Sequence, residues 1–291
     1  MEIHETVAQN VELIRNLGNT DGLLETPINL DISYMKVIEL GPLEWTNIDI
    51  VPRKLKITNT GYTVILSAKW QQENHYISGG PFTGNYAFSH IHFHWGENEM
   101  NGSEHAVDGA SMPMELHAVY FKDEYETLES ALRRPNGITI LVYFFKLQAG
   151  PNQFLEEIIK NLAVIRTAHS SVRIVPLNLS NILRPFTQDY FLYWGSIITI
   201  RNVYSILWIT SREPIGISTE QVAEFRTLND EKEAPILSNI RPLKEKQERN
   251  IFHVCPSGTT YASLLPIPRD LPSNQTDRSN NIKNVGNTPD A

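Results

Sequence analysis

The stretch His90-Ile91-His92-Phe93-His94-Trp95-Gly96 decides how this chain is read. Side chains alternate faces along a strand, so positions 90, 92 and 94 share one side. Gly102-Ser103-Glu104-His105 and Glu115-Leu116-His117 follow closely, and a second strand carrying His117 can bring it beside the first set. Five of the nine histidines thus lie between residues 90 and 117. Neutral imidazole is a good zinc ligand, and three protein ligands with a fourth position open is the pattern of a catalytic zinc site.

Outward from this window the chain reads as one β-rich domain. Short apolar runs such as Val64-Ile65-Leu66, Ile138–Val142 and Ile206–Ile209 are separated by turn signals, among them Asn59-Thr60-Gly61, Gly79-Gly80-Pro81 and Pro135-Asn136-Gly137. Ile3, Val7, Val11, Ile14 and Leu17 recur at helical spacing and predict an amphipathic helix over 1–18. A second helix is predicted over 151–165, with Phe154, Leu155, Ile158, Ile159, Leu162 and Ile165 on one side. A third is predicted from Ser218, with Gln221 as capping-box partner and Val222 and Phe225 buried. Residues 256–291 are polar and rich in Pro, Ser, Asn and Asp, and read as a disordered tail. The expected division is a divergent segment 1–24, a domain 25–255 and the tail.

The chain has 291 residues, is 41% hydrophobic and 20% charged, and carries a net charge of −8, which argues against a nucleic-acid partner. Cys255 is the single cysteine, so no intramolecular disulfide forms. The N-terminus has neither a basic nor an apolar leader region, and no apolar run is long enough for a membrane span. A cytoplasmic monomer is the expectation.

Phe93-His94-Trp95-Gly96, Gly102–Gly109 and Glu115-Leu116-His117 together resemble the α-class carbonic anhydrases. Gly79-Gly80-Pro81, Gly195-Ser196, Trp208, Glu213-Pro214-Ile215, Phe225–Leu228 and Asn239-Ile240-Arg241-Pro242 fall in the family's order, so the likeness spans about 25–250. The resemblance implies a mainly β, single-domain fold with peripheral helices, built on a large, twisted, mostly antiparallel sheet with a central zinc cone. It also implies reversible hydration of CO2 to bicarbonate by a zinc-bound hydroxide, with Zn2+ held by His92, His94 and His117. Glu115 matches the carboxylate partner of one ligand, Asn239 stands where a backbone carbonyl serves another, and His90 takes the place of a glutamine beside the first. Val119, Ile140, Ile197, Ile206 and Trp208 fall at the positions of the apolar wall that receives CO2, and each also reads as ordinary core.

Three departures from the family stand out, of which the first two bear on activity and the third, at the N-terminus, more on stability. The family's Gly-Ser-Leu-Thr-Thr-Pro supplies a threonine hydroxyl that orients the zinc hydroxide and donates to the glutamate of Gly-Ser-Glu-His. Here Gly195-Ser196-Ile197-Ile198-Thr199 puts Ile198 at that position. Glu104 is therefore expected to lack a partner, unless a local shift lets Thr199 substitute. Tyr62 occupies the place of the proton-shuttle histidine, and a phenol titrates too high for that task at neutral pH. Ile65 replaces a polar residue of the cavity's water network. The family's early aromatic segment is also missing, with the helical 1–18 in its place.

Two readings follow: a slow zinc carbonic anhydrase acting on CO2 and bicarbonate, or a zinc-bearing, non-catalytic relative serving as a binding module with a protein partner. Retention of all three histidines favours the enzyme.

Overall fold

The computed structural model describes residues 2–19, 23–71, 74–198 and 203–256. The tail beyond residue 256 and Thr199 lie outside them. In chain order the strands are β1 (Asn29–Leu30), β2 (Lys36–Ile38), β3 (Leu43–Thr46), β4 (Lys54–Asn59), β5 (Val64–Lys69), β6 (Tyr76–Gly79), β7 (Tyr86–Trp95) and β8 (Ala106–Val107). They continue as β9 (Met114–Lys122), β10 (Ile138–Leu147), β11 (Ser171–Ile174), β12 (Tyr190–Ile198), β13 (Val203–Ser211), β14 (Ile215–Ile217) and β15 (Phe252–Val254). Among the described residues thirteen of them form one mostly antiparallel sheet: ten follow the path β11-β4-β5-β7-β9-β10-β13-β12-β15-β2, while β14 pairs with β10 and β6 joins β3 to β7 off it. Among its pairs, β10–β13, β10–β14 and β15–β2 are parallel.

Period-two alternation divides the core between the two sides of this sheet. Ile91, Phe93 and Trp95 of β7, Leu116, Ala118 and Tyr120 of β9, and Leu207 and Ile209 of β13 bury one side in the larger cluster. Val119, Ile140, Val142, Phe144, Ile206 and Trp208 bury the other. His90, His92, His94, Glu115 and His117 belong by alternation to the second side, so the polar site opens beside the smaller apolar cluster.

The helices are α1 (Glu2–Leu17), α2 (Leu128–Leu132), α3 (Glu156–Leu162) and α4 (Thr219–Phe225). Helix α1 covers the predicted segment and docks on the sheet: Ile14 is buried in the larger cluster, and the Trp194 indole N–H donates to the Ile14 carbonyl at 2.7 Å. Helix α4 begins at the Ser218 cap with both bonds of the capping box and buries Val222 and Phe225, as the sequence predicts. The helix predicted over 151–165 is shorter: α3 starts at Glu156, and a 3-10 turn spans Ala163–Ile165. Asn152 explains the late start. Its side chain accepts from Phe154 N–H and donates to Gly216 O, which holds the segment in a turn and leaves Phe154 half-exposed rather than on the buried face. None of the described helices is long and apolar enough to cross a membrane.

On the larger-cluster side, His75 is fully buried beneath Trp45 and Tyr120. Its Nδ1–H donates to Thr46 O at 2.7 Å, and its Nε2 accepts from the Tyr120 hydroxyl at 2.8 Å. Burial pushes this imidazole down to about 4 from 6.5, outweighing the opposing bond to Thr46. Between those values the unfolded chain binds the proton that the folded one refuses. The stabilisation is thus complete above about pH 6.5 and is lost as the pH falls through about 4, a change of up to about 3 kcal/mol. Urea unfolding at pH 7 and pH 4.5 should show a steeper loss for the wild type than for His75→Gln. Equal losses would assign the acid sensitivity elsewhere.

Candidate metal centre

Strands β7 and β9 pair so that His92 faces His117 and His94 faces Glu115. A register irregularity between Phe88 and His90 sets this alignment. The rings of His94 and His117 lie 4.6 Å apart, those of His92 and His117 5.0 Å, and those of His92 and His94 5.2 Å. One nitrogen from each of the three falls within 4.8 Å of the others.

The outward nitrogens are engaged, which assigns the tautomers of His94 and His117. His117 Nε2–H donates to Glu115 Oε1 at 2.5 Å. His94 Nδ1–H donates to the Asn239 carbonyl at 3.3 Å. His92 Nδ1 meets His90 Nε2 at 3.3 Å, and His90 Nδ1 meets Ser89 Oγ at 3.0 Å. His94 Nε2 and His117 Nδ1 are left with lone pairs turned inward, beside His92 Nε2. His94 Nε2 is buried without a partner among the described residues, and the nitrogens of His92 and His117 face each other at 3.1 Å. Burial holds His92 well below the ordinary imidazole range and His94 at about 4, so both stay neutral, as ligands must. The donor set fits zinc.

Glu115 does more than its spacing from His117 suggests. It also accepts from the backbone N–H of His105 at 2.8 Å and from His105 Nδ1–H at 2.6 Å, and His105 Nε2 meets the Tyr193 hydroxyl at 2.6 Å. Burial pushes this carboxyl up, but His105 and His117 outweigh it and keep it ionised. His105, Glu115 and His117 also lie close enough to hold an ion. Their facing atoms are already bonded to one another, which makes them support for the first triad rather than a second centre.

The fate of Glu104 is a correction. It is fully buried, yet it is not left without partners: Arg241 donates its backbone N–H and Nε–H to Oε1 at 3.1 and 2.8 Å, and an Nη2–H to Oε2 at 2.6 Å. Burial pushes the carboxyl up, but His94 and the Arg241 guanidinium prevail and hold it at about 2. Glu104 Oε1 also lies 3.4 Å from His94 Nδ1. The motif Asn239-Ile240-Arg241-Pro242 was visible in the sequence, but nothing there tied it to a carboxylate 137 residues earlier.

The family model for eukaryotic-type carbonic anhydrase matches residues 15–255. The chain belongs to this family. It is 34% identical over 233 residues to carbonic anhydrase 1 of Monodelphis domestica, which covers 77% of this chain and 88% of that protein. It is 35% identical over 258 residues to the mitochondrial carbonic anhydrase 5A of Rattus norvegicus, covering 86% and 83%. With a mitochondrial protein among these relatives, membership does not fix the compartment as the cytoplasm.

Against this carbonic anhydrase frame the remaining predicted residues fall as follows. Val119, Ile140, Ile206 and Trp208 are buried in the smaller cluster, and half-buried Ile197 packs against it. Gly195 admits Thr26 and Trp208 so closely that a Cβ would lie 2.3 Å from Thr26 Cγ2. The backbone of Ile198 pairs with Val203 at the end of β12. Ile65 sits directly opposite His92 across β5 and β7. Tyr62 is half-exposed, and its hydroxyl donates to the Asn239 carbonyl at 2.8 Å.

Proposed function

We propose that this chain is a zinc-dependent carbonic anhydrase that interconverts CO2 and bicarbonate slowly for its family. The observation that carries the reading is the convergence of one nitrogen from each of three imidazoles, one of them buried and unpartnered among the described residues, with each outward nitrogen engaged. His92, His94 and His117 would hold the ion. When bound, zinc supplies hydroxide at neutral pH by acidifying water. His90, the Asn239 carbonyl and Glu115 fix the three rings. Val119, Ile140, Ile197, Ile206 and Trp208 offer CO2 an apolar wall, where a neutral, weakly hydrated substrate outcompetes ions. Ile198 has no hydroxyl with which to orient the attacking oxygen, and Tyr62 is engaged elsewhere, so the reaction lacks two aids.

Stopped-flow CO2 hydration on the zinc-loaded protein tests this. The wild type should run above background, and Ile198→Thr should run faster, by on the order of 100-fold if one well-placed hydrogen-bonding group has its usual weight at a reacting centre. Ile198 itself favours the second reading, a silent zinc scaffold that binds a partner. A zinc-loaded wild type flat at background, with Ile198→Thr gaining activity, would establish that one instead.

A further inference from the structure

Tyr62 stands where a proton relay would be sought, but its surroundings point to another task. It follows a turn that leaves it little freedom: Asn59 Oδ1 accepts from Gly61 N–H at 2.8 Å, Thr60 Oγ1 accepts from the N–H groups of Tyr62 and Thr63, and Gly61 takes φ +82°, where a side chain would be strained. From this turn Tyr62 clasps Asn239 at two points. Its carbonyl accepts from Asn239 Nδ2–H at 3.0 Å, and its hydroxyl donates to the Asn239 carbonyl at 2.8 Å.

That carbonyl is the one that His94 Nδ1–H reaches, at 3.3 Å. Two donors therefore share one oxygen, and the phenol has the shorter bond. The carbonyl itself does not depend on the Tyr62 hydroxyl for its place. Asn239 N–H donates to Trp95 O at 3.0 Å, Asn239 Oδ1 accepts from Trp95 N–H at 2.8 Å, and Nδ2–H also donates to Phe93 O at 3.0 Å. Holding the residue is thus done by others, and what the hydroxyl changes is how much electron density the carbonyl lends to His94. Burial and the Glu104 carboxylate raise the phenol above its ordinary value, so it remains a donor.

We propose that Tyr62 is a positioning residue that weakens His94 as a metal ligand by competing for the Asn239 carbonyl. This rests on the zinc reading above. A strong acceptor behind a ligating imidazole raises its basicity and tightens the metal. A carbonyl already engaged by a phenol is a poorer acceptor, so His94 binds zinc less firmly than it otherwise would. The other group near His94 Nδ1, Glu104 Oε1, is occupied by two Arg241 donors and leaves the Asn239 oxygen as the adjustable partner.

The test is Tyr62→Phe, which keeps the ring and removes the hydroxyl. Zinc release into excess chelator and the His94 Nδ1–H proton resonance of the zinc-loaded protein are measured beside the wild type. The expected result is slower release, by roughly 3- to 10-fold, at the lower margin of what outer hydrogen bonds to metal ligands carry. The Nδ1–H resonance should move downfield as its bond shortens. A hydroxyl that merely braced the fold would give the opposite, faster release. Faster or unchanged release with an unmoved resonance overturns the proposal while leaving the zinc reading intact. A wild type that holds less than one zinc per chain overturns both.

Discussion

His94→Ala is expected to lose its zinc and to hydrate CO2 no faster than the uncatalysed reaction. Loss of a ligand's outer hydrogen-bond partner already costs about 10- to 100-fold in metal affinity, so loss of the ligand itself should exceed that range. The ring is buried on the sheet and its Nε2 has no described partner to lose, so the fold should survive. Metal analysis after dialysis, with circular dichroism as the check on folding, reads the result. A folded variant that retains one zinc per chain would move the ion to His105, Glu115 and His117, the other cluster within ligating reach.

Arg241→Leu should destabilise the protein by about 3 kcal/mol. Leaving a buried charge without its partner costs about 3–5 kcal/mol, and the low end applies because the Arg241 side chain is 36% exposed and the backbone N–H still donates to Glu104. The Glu104 side chain is buried completely and cannot turn to water. Adding Glu104→Gln should restore part of the loss, since it removes the stranded charge. Arg241→Lys should recover little, because an ammonium cannot reproduce the paired Nε and Nη2 donors. Urea midpoints for the four proteins check this. If the double variant is no more stable than Arg241→Leu, the guanidinium is not what satisfies Glu104.

The site was legible in the sequence wherever it is local. Alternation in His90–His94 placed three rings on one face, and the spacing of Glu115 and His117 placed a carboxylate beside a ligand, because a strand's period is nearly rigid. The capping box at Ser218 and Gln221 was legible for the same reason: it lies within one helical turn. What distance along the chain conceals was not legible. Arg241 reaches Glu104 and Tyr62 reaches Asn239 across gaps of 137 and 177 residues, and no periodicity encodes such meetings. A missing hydroxyl at Ile198 therefore implied an orphaned carboxylate, when the chain supplies an arginine. The helix over 151–165 was overextended because apolar spacing shows which face would be buried but not that Asn152 diverts the backbone first.

The open ends of the sheet carry a different consequence. Its path runs out at β11, four residues long, and at β2, three residues long. Each presents an exposed cation, Arg173 on one and Lys36 on the other. A flat, apolar margin on so broad a sheet would be a template on which further copies could stack into fibres. Short, charged margins give an incoming strand few backbone partners and a repulsive neighbour of its own sign. The protein can thus keep a wide platform for its central strands without that platform growing from molecule to molecule.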